Sequence, residues 1–112
     1  MPTLLPVDAD NHVIPAMRLK SGAAHSVAAS ATSARNATAF NADTQVVSLY
    51  ATVPVYVRFG TSTVTAASTD HYFPAGVYYD FSIGAGGKGG RFTNVAVLAV
   101  SGSGTVYISE KE

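Results

Sequence analysis

The sequence predicts an all-β fold, an antiparallel β-sandwich with a jelly-roll-like arrangement of seven or eight short strands behind an extended N-terminal arm. Three observations predict it. In several separate stretches apolar residues recur at every second position, which turns one face of a strand toward a core and the other toward solvent. Between those stretches stand short turn signals such as Pro74-Ala75-Gly76 and Ser101-Gly102-Ser103-Gly104. The alanine-rich segment Ala31–Ala42 would favour a helix on propensity, but Ser, Thr and Asn interrupt it and no apolar stripe of period 3.6 emerges.

In chain order, Met1–Asn11 carries Pro2, Pro6, Asp8 and Asp10 and no periodicity beyond the Leu4-Leu5 pair, so residues 1–11 read as an extended arm. An arm with two leucines is expected to lie on something, either its own domain or a neighbour. Residues 12–112 then form the sandwich domain. His12–Lys20 alternates weakly, and Pro15 limits it to an edge strand. Ser21-Gly22 reads as a turn, His25–Ser30 as a short strand and Ala31–Ala42 as an irregular connection. Asn36-Ala37-Thr38 has the letters of a glycosylation acceptor, which counts only behind a secretion signal.

The stretch Val46–Gly60 (VVSLYATVPVYVRFG) organises the rest. Val47, Leu49 and Ala51 share one strand face; Val55, Val57 and Phe59 share another, with Tyr56 and Arg58 pointing away. The connection through Thr52-Val53-Pro54 is short and places Pro54 at the start of a strand, where a missing N–H is tolerated, so the pair is predicted to be a hairpin. A second hairpin is predicted from Asn94–Val100 and Thr105–Ser109, and its Val106-Tyr107-Ile108 echoes Val55-Tyr56-Val57. Between the two, Thr61–Thr69 is polar and small, and Asp70–Phe73 leads into the Pro-Ala-Gly turn. Val77–Ile83 alternates, with Val77, Tyr79, Phe81 and Ile83 inward and Tyr78, Asp80 and Ser82 outward, and Gly84–Gly90 forms a flexible glycine loop.

Composition narrows the function. At 112 residues the chain is one domain, burying about two-thirds of the surface its unfolded form exposes. A net charge of zero with 12 % charged residues argues against a nucleic-acid partner, which needs a Lys/Arg stripe to neutralise phosphates. The same low charge with 47 % hydrophobic residues argues for self-assembly, because something must cover the apolar surface. The chain has no cysteine, hence no disulfide or thiolate metal site. It lacks a stretch of the ~20 apolar residues a membrane span needs and the opening of a signal peptide, so it is expected to be soluble and not exported by that route.

Motifs for catalysis and cofactors are weak. Gly84-Ala85-Gly86-Gly87-Lys88-Gly89 matches the letters of a dinucleotide fingerprint, but such a motif works at a helix N-terminus, and here Arg91–Val97 reads as a strand. His12, His25 and His71 are far apart and in no ligand-pair spacing, and Asp8–His12 lacks the glycine and distal glutamate of a calcium loop. No Gly-x-Ser-x-Gly elbow occurs, and only Asp80 falls on a predicted central strand, short of the paired acids of glycoside chemistry. The expectation is therefore no catalytic residue, no cofactor and no metal. Tyr50, Tyr56, Tyr78 and Tyr107 stand out instead, on four strands and on the face away from the core. Aromatics on a polar strand face fit a protein interface, a second layer of internal packing or a sugar-binding platform.

The phrases LYATVPVYVRFG, DHYFPAG and VAVLAVSGSGTVYISEKE resemble small proteins encoded among the head-assembly genes of tailed bacteriophages and prophage-like elements, over about Ala24 to Glu112. The resemblance implies a non-enzymatic virion component, a β-sandwich decoration or minor capsid protein that sits on the head surface as an oligomer, often a trimer. It is made in the host cytoplasm and partnered by the major capsid protein or other virion proteins. It defines no catalytic set. On that reading Leu4 and Leu5 of the arm and Tyr50, Tyr56, Tyr78 and Tyr107 are the interface candidates. A carbohydrate-binding or host-attachment module, with a host glycan as ligand, and a tail adaptor are the alternatives.

Overall fold

The computed structural model describes residues 9–10, 18–84 and 91–111. Eight strands occur among them: β1 (Leu19–Ala29), β2 (Ala34–Arg35), β3 (Val46–Ala51), β4 (Val55–Gly60), β5 (His71–Phe73), β6 (Tyr78–Ser82), β7 (Asn94–Ala99) and β8 (Gly104–Lys111). They form two four-stranded antiparallel sheets, sheet one in the order β1-β8-β3-β6 and sheet two in the order β2-β7-β4-β5. First strand pairs with last, second with seventh, third with sixth and fourth with fifth. This is one long antiparallel ribbon, rolled so that β3 also meets β8 and β4 meets β7. The rolled ribbon is the jelly roll.

The inward faces close one core. Val47, Leu49 and Ala51 of sheet one face Val55 and Val57 of sheet two, all buried, with Val95, Val97, Val106 and Ile108 completing the layer. β-branched side chains dominate because they fit the pleated surface with little rotamer freedom to lose.

Neither predicted hairpin forms. β3 and β4 lie in different sheets, as do β7 and β8, so each pair is an arch that crosses the core. An arch and a hairpin both turn alternate residues toward one core, so the period-two pattern is identical for the two. The turn hydrogen bonds separate them. Thr52 N donates to Thr105 O at 3.0 Å, Thr105 N donates to Thr52 Oγ1 at 2.9 Å and Val100 N donates to Pro54 O at 3.1 Å, each from one arch to the other. Gly104 lets them approach: a Cβ there would stand 2.6 Å from Thr52 Oγ1 and 2.7 Å from Val53. The echo between the two segments thus marks a pair of stacked arches.

Other departures are local. Ser21-Gly22 is no turn between strands but an irregularity inside β1, where Gly22 takes φ +71° and the register against β8 shifts between Leu19 and Ala24. Ala31–Ala42 contains the short β2, held by Ala34 against Val97 and Arg35 against Ala96. Val77 precedes β6 on the rim and is exposed. Asp80 lies on the edge strand of sheet one, since β6 pairs with β3 alone. The predicted strand over His12–Lys20 falls mostly on residues outside those described, as do most of the arm and the Gly84–Gly90 loop beyond Gly84.

The connection Thr61–Asp70 folds back over the outer face of sheet two. Val64 and Ala66 pack on Ala96 and Leu98 in a small second core. Ala66 N donates to Ser33 Oγ at 2.8 Å, and Arg35 Nη1 donates to Val64 O at 3.2 Å. Sheet two is therefore partly covered on both sides; on the outer face of sheet one Tyr78 and Tyr107 are exposed, and Ser48 of β3, between β8 and β6, is buried.

Candidate interaction surface and buried polar network

On sheet one the antiparallel register sets Tyr107 of β8 and Tyr78 of β6 on either side of Tyr50 on β3, with Ser26 of β1 beyond Tyr107. Three of the four candidate tyrosines thus form one cross-strand row. The Tyr50 and Tyr78 rings lie 4.8 Å apart between centroids, tilted by 38°, and Tyr78 is 71 % exposed. The next outward rows are Ala24, Ser109, Ser48 and Asp80, then Leu19, Lys111, Val46 and Ser82. Lys111 and Asp80 are the charged residues of these rows, and Lys111 Nζ donates to Asp80 Oδ1 at 2.7 Å. Strands about 4.8 Å apart make this a continuous aromatic and small-residue surface whose charges cancel within it.

Tyr56 is not part of that row. It projects from the outer face of sheet two, beside Leu98 of β7 and Tyr72 of β5, with its ring 6.1 Å from the Tyr72 ring. Tyr72, a half-exposed residue of the three-residue β5, joins the candidates only through this register. Leu4 and Leu5 lie outside the described residues.

A cleft of about 800 Å³ opens between the edges of β5 and β6, where the two sheets part. Phe59, Phe73, Phe81 and Phe92 line it, and Arg58, Asp70 and His71 stand at its rim. The rings brace one another: Phe59 and Phe92 stack at 6.1 Å, and Phe73 meets Phe81 edge-on at 5.3 Å. Asp70 Oδ2 accepts from Ala67 N at 2.7 Å and closes the loop beside it.

Inside the sandwich, Glu110 is 2 % exposed. It accepts hydrogen bonds from Asn41 N at 2.9 Å and from Thr44 Oγ1, and it pairs with His25 Nε2 at 2.7 Å. Arg91 extends the network, donating through Nε to Thr44 O at 3.0 Å and through Nη2 to Asn41 O. Burial raises the pKa of the Glu110 carboxyl, but the hydrogen bonds from Thr44, His25 and Asn41 and the His25 charge outweigh it, leaving the carboxyl below its ordinary value. The alternation Val106, Ile108, Glu110 points this side chain inward and could have identified it from the sequence. The order of partners differs from that of a nucleophilic triad. In a nucleophilic triad the imidazole stands between hydroxyl and carboxylate, whereas here the carboxylate stands between Thr44 and His25.

The remaining candidates are dispersed. His25 belongs to this network and His71 to the cleft rim, and the described residues contain no group of three or more metal-ligating side chains. Asn36 of the sequon is buried: its Oδ1 accepts from Val95 N at 2.9 Å and its Nδ2 donates to Thr38 O at 2.6 Å. Comparison with protein families, with curated proteins and with solved structures finds no match to this chain.

Proposed function

We propose that the protein is a non-enzymatic structural component of a virion, a decoration or minor capsid protein that oligomerises on the surface of a phage head after synthesis in the host cytoplasm. The observation that carries this reading is the outer face of sheet one, with its cross-strand row of tyrosines Tyr107, Tyr50 and Tyr78, the outer two of them exposed, and the ion pair in which Lys111 and Asp80 neutralise each other. Depletion of charge around aromatic residues is the composition of an interface centre. Such a face offers a phosphate backbone nothing to neutralise. Jelly rolls serve both capsid and lectin domains, so the architecture is compatible with the role and does not by itself assign it. Contacts made only in the assembled particle would stabilise the shell by mass action.

The test measures the mass of the purified protein by light scattering across a wide concentration range and its pelleting with expanded capsid shells. An oligomer that pellets with the shells is the expected result. A monomer at every concentration that stays in the supernatant overturns the proposal.

The cleft favours a second reading, a host-attachment module that binds a glycan. Its phenylalanine walls offer stacking surfaces, and Asp70, His71 and Arg58 stand at the rim with polar groups for hydroxyls. A glycan array is the test: a binder whose signal falls on Phe92→Ala supports this reading, and an array without a binder removes it.

A further inference from the structure

We infer that β1 pairs along its free edge with β1 of a second copy, antiparallel and about a twofold axis at Ser26. This rests on the oligomeric part of the reading above and gives it a strand and a register. The hydrogen-bond parity of sheet one decides which backbone groups are free. Thr52 N donates to Thr105 O, so in the register of β3 with β8 the odd residues of β8 turn their N–H and C=O toward β3. The even residues turn toward β1 and meet His25, Val27 and Ala29. Ala24, Ser26 and Ala28 therefore direct their N–H and C=O away from the sheet, and among the described residues no group bonds to them. The side chains of all three are exposed.

A row of unpaired N–H and C=O groups templates another strand, and folds blunt such an edge by shortness, charge, proline or a bulge. The other three edges are blunted: β2 has two residues, one of them Arg35, β5 has three, and β6 has five with Asp80 at its centre. β1 has eleven. Its first part carries Lys20 and the irregularity at Gly22, but residues 24–28 (AHSVA) hold a regular register with no acid, lysine, arginine or proline. This stretch selects a second copy as its occupant, because it is close to symmetric about Ser26. Turned about that residue, Ala24 meets the second copy's Ala28, Ser26 meets its own equivalent, and His25 meets the second copy's Val27. Both strands offer the same three residues at the same spacing, so every free N–H and C=O finds a partner and none is left over on either copy. The side chains along the seam are small and carry no like charges, and a net charge of zero sets no repulsion between copies. Residues directly opposite in a ladder share a face, so the two tyrosine rows fall on one side of a continuous sheet of twice four strands, with Tyr107 of each copy beside the Ser26 pair.

Sedimentation equilibrium and disulfide trapping of the full chain test the pairing and its register. The wild type should reach the mass of two copies, or a multiple of two, as concentration rises. The chain has no cysteine, so Ser26→Cys alone should form a disulfide-linked dimer under mild oxidation: hydrogen-bonded partners have Cα atoms about 5.5 Å apart, within disulfide reach. Ala24→Cys alone should not link, whereas an equimolar mixture of Ala24→Cys and Ala28→Cys should. Ser26→Pro removes an N–H that the single chain leaves unpaired on a strand edge, where proline is tolerated. It should weaken association at least tenfold while leaving the far-ultraviolet circular dichroism of the diluted protein unchanged, and if it fails to fold the cysteine variants still decide. A wild type monomeric throughout, a mass of three copies, a folded Ser26→Pro that associates as the wild type does, or Ala24→Cys linking as readily as Ser26→Cys overturns the pairing. Pelleting with capsid shells, measured on the same proteins, reads the virion role separately: a chain that pellets but does not pair loses only this inference, and one that pairs but does not pellet loses only that role.

Discussion

His25 Nε2 lies 2.7 Å from Glu110 Oε2, joining edge strand β1 to the buried end of β8. The carboxylate accepts at once from Asn41 N and Thr44 Oγ1 and so fixes the turn between β2 and β3, whose carbonyls also hold Arg91. Glu110→Gln keeps an acceptor but loses the charge and should cost about 1–3 kcal/mol in urea unfolding at pH 7.

The same carboxyl sets an acid limit. Its folded pKa lies below the ordinary value of 4.5, so its stabilisation is complete above that value and is lost as pH falls through the folded one. Unfolding free energy measured from pH 6 down to pH 3 should therefore fall more steeply in the wild type than in Glu110→Gln. Parallel curves would show that Glu110 titrates alike in folded and unfolded chains.

Gly104→Ala should destabilise the fold by about 1–3 kcal/mol, because the added methyl must push the two arches apart. The contact it creates is with Thr52 and Val53, at 2.6–2.8 Å. Denaturant midpoints give the measurement, and loss of amide-exchange protection at Thr52 and Thr105 should accompany the shift.

Asn36→Ala should cost about 1–3 kcal/mol, since the buried Val95 N–H loses its acceptor. Expressed through a glycosylating secretory route, the folded wild type should keep an unmodified mass, as the Asn36 amide is enclosed.

Tyr78→Ser should cost the single chain no more than about 1 kcal/mol, the worth of its ring contact with Tyr50. Thermal unfolding at a concentration low enough to keep the protein monomeric checks this. A much larger loss would place Tyr78 in the fold itself.

Much of the site was legible before the fold. Strand parity alone put Tyr50, Tyr78 and Tyr107 on outward faces, and the structure keeps them there. Parity could not join them, because which strands are neighbours is decided by backbone pairing between distant segments. Nor could it separate Tyr56 from them, since outward on sheet one and outward on sheet two are opposite sides of the molecule. Glu110 was equally legible by its register with Val106 and Ile108. Its partners Asn41, Thr44 and His25 were not, being loop and strand residues far away in the chain.

By itself, then, the sequence determined an all-β chain, its strand stretches and the inward set Val47, Leu49, Ala51, Val55 and Val57, because burial imposes a period of two that survives any topology. The tertiary structure alone decided that Thr52–Pro54 and Val100–Ser103 are arches, that the arches stack at Gly104, and that Thr61–Asp70 roofs part of the outer face of sheet two. Hydrogen-bond partners and layer order are chosen by the closing of the whole core, which no local window of residues contains.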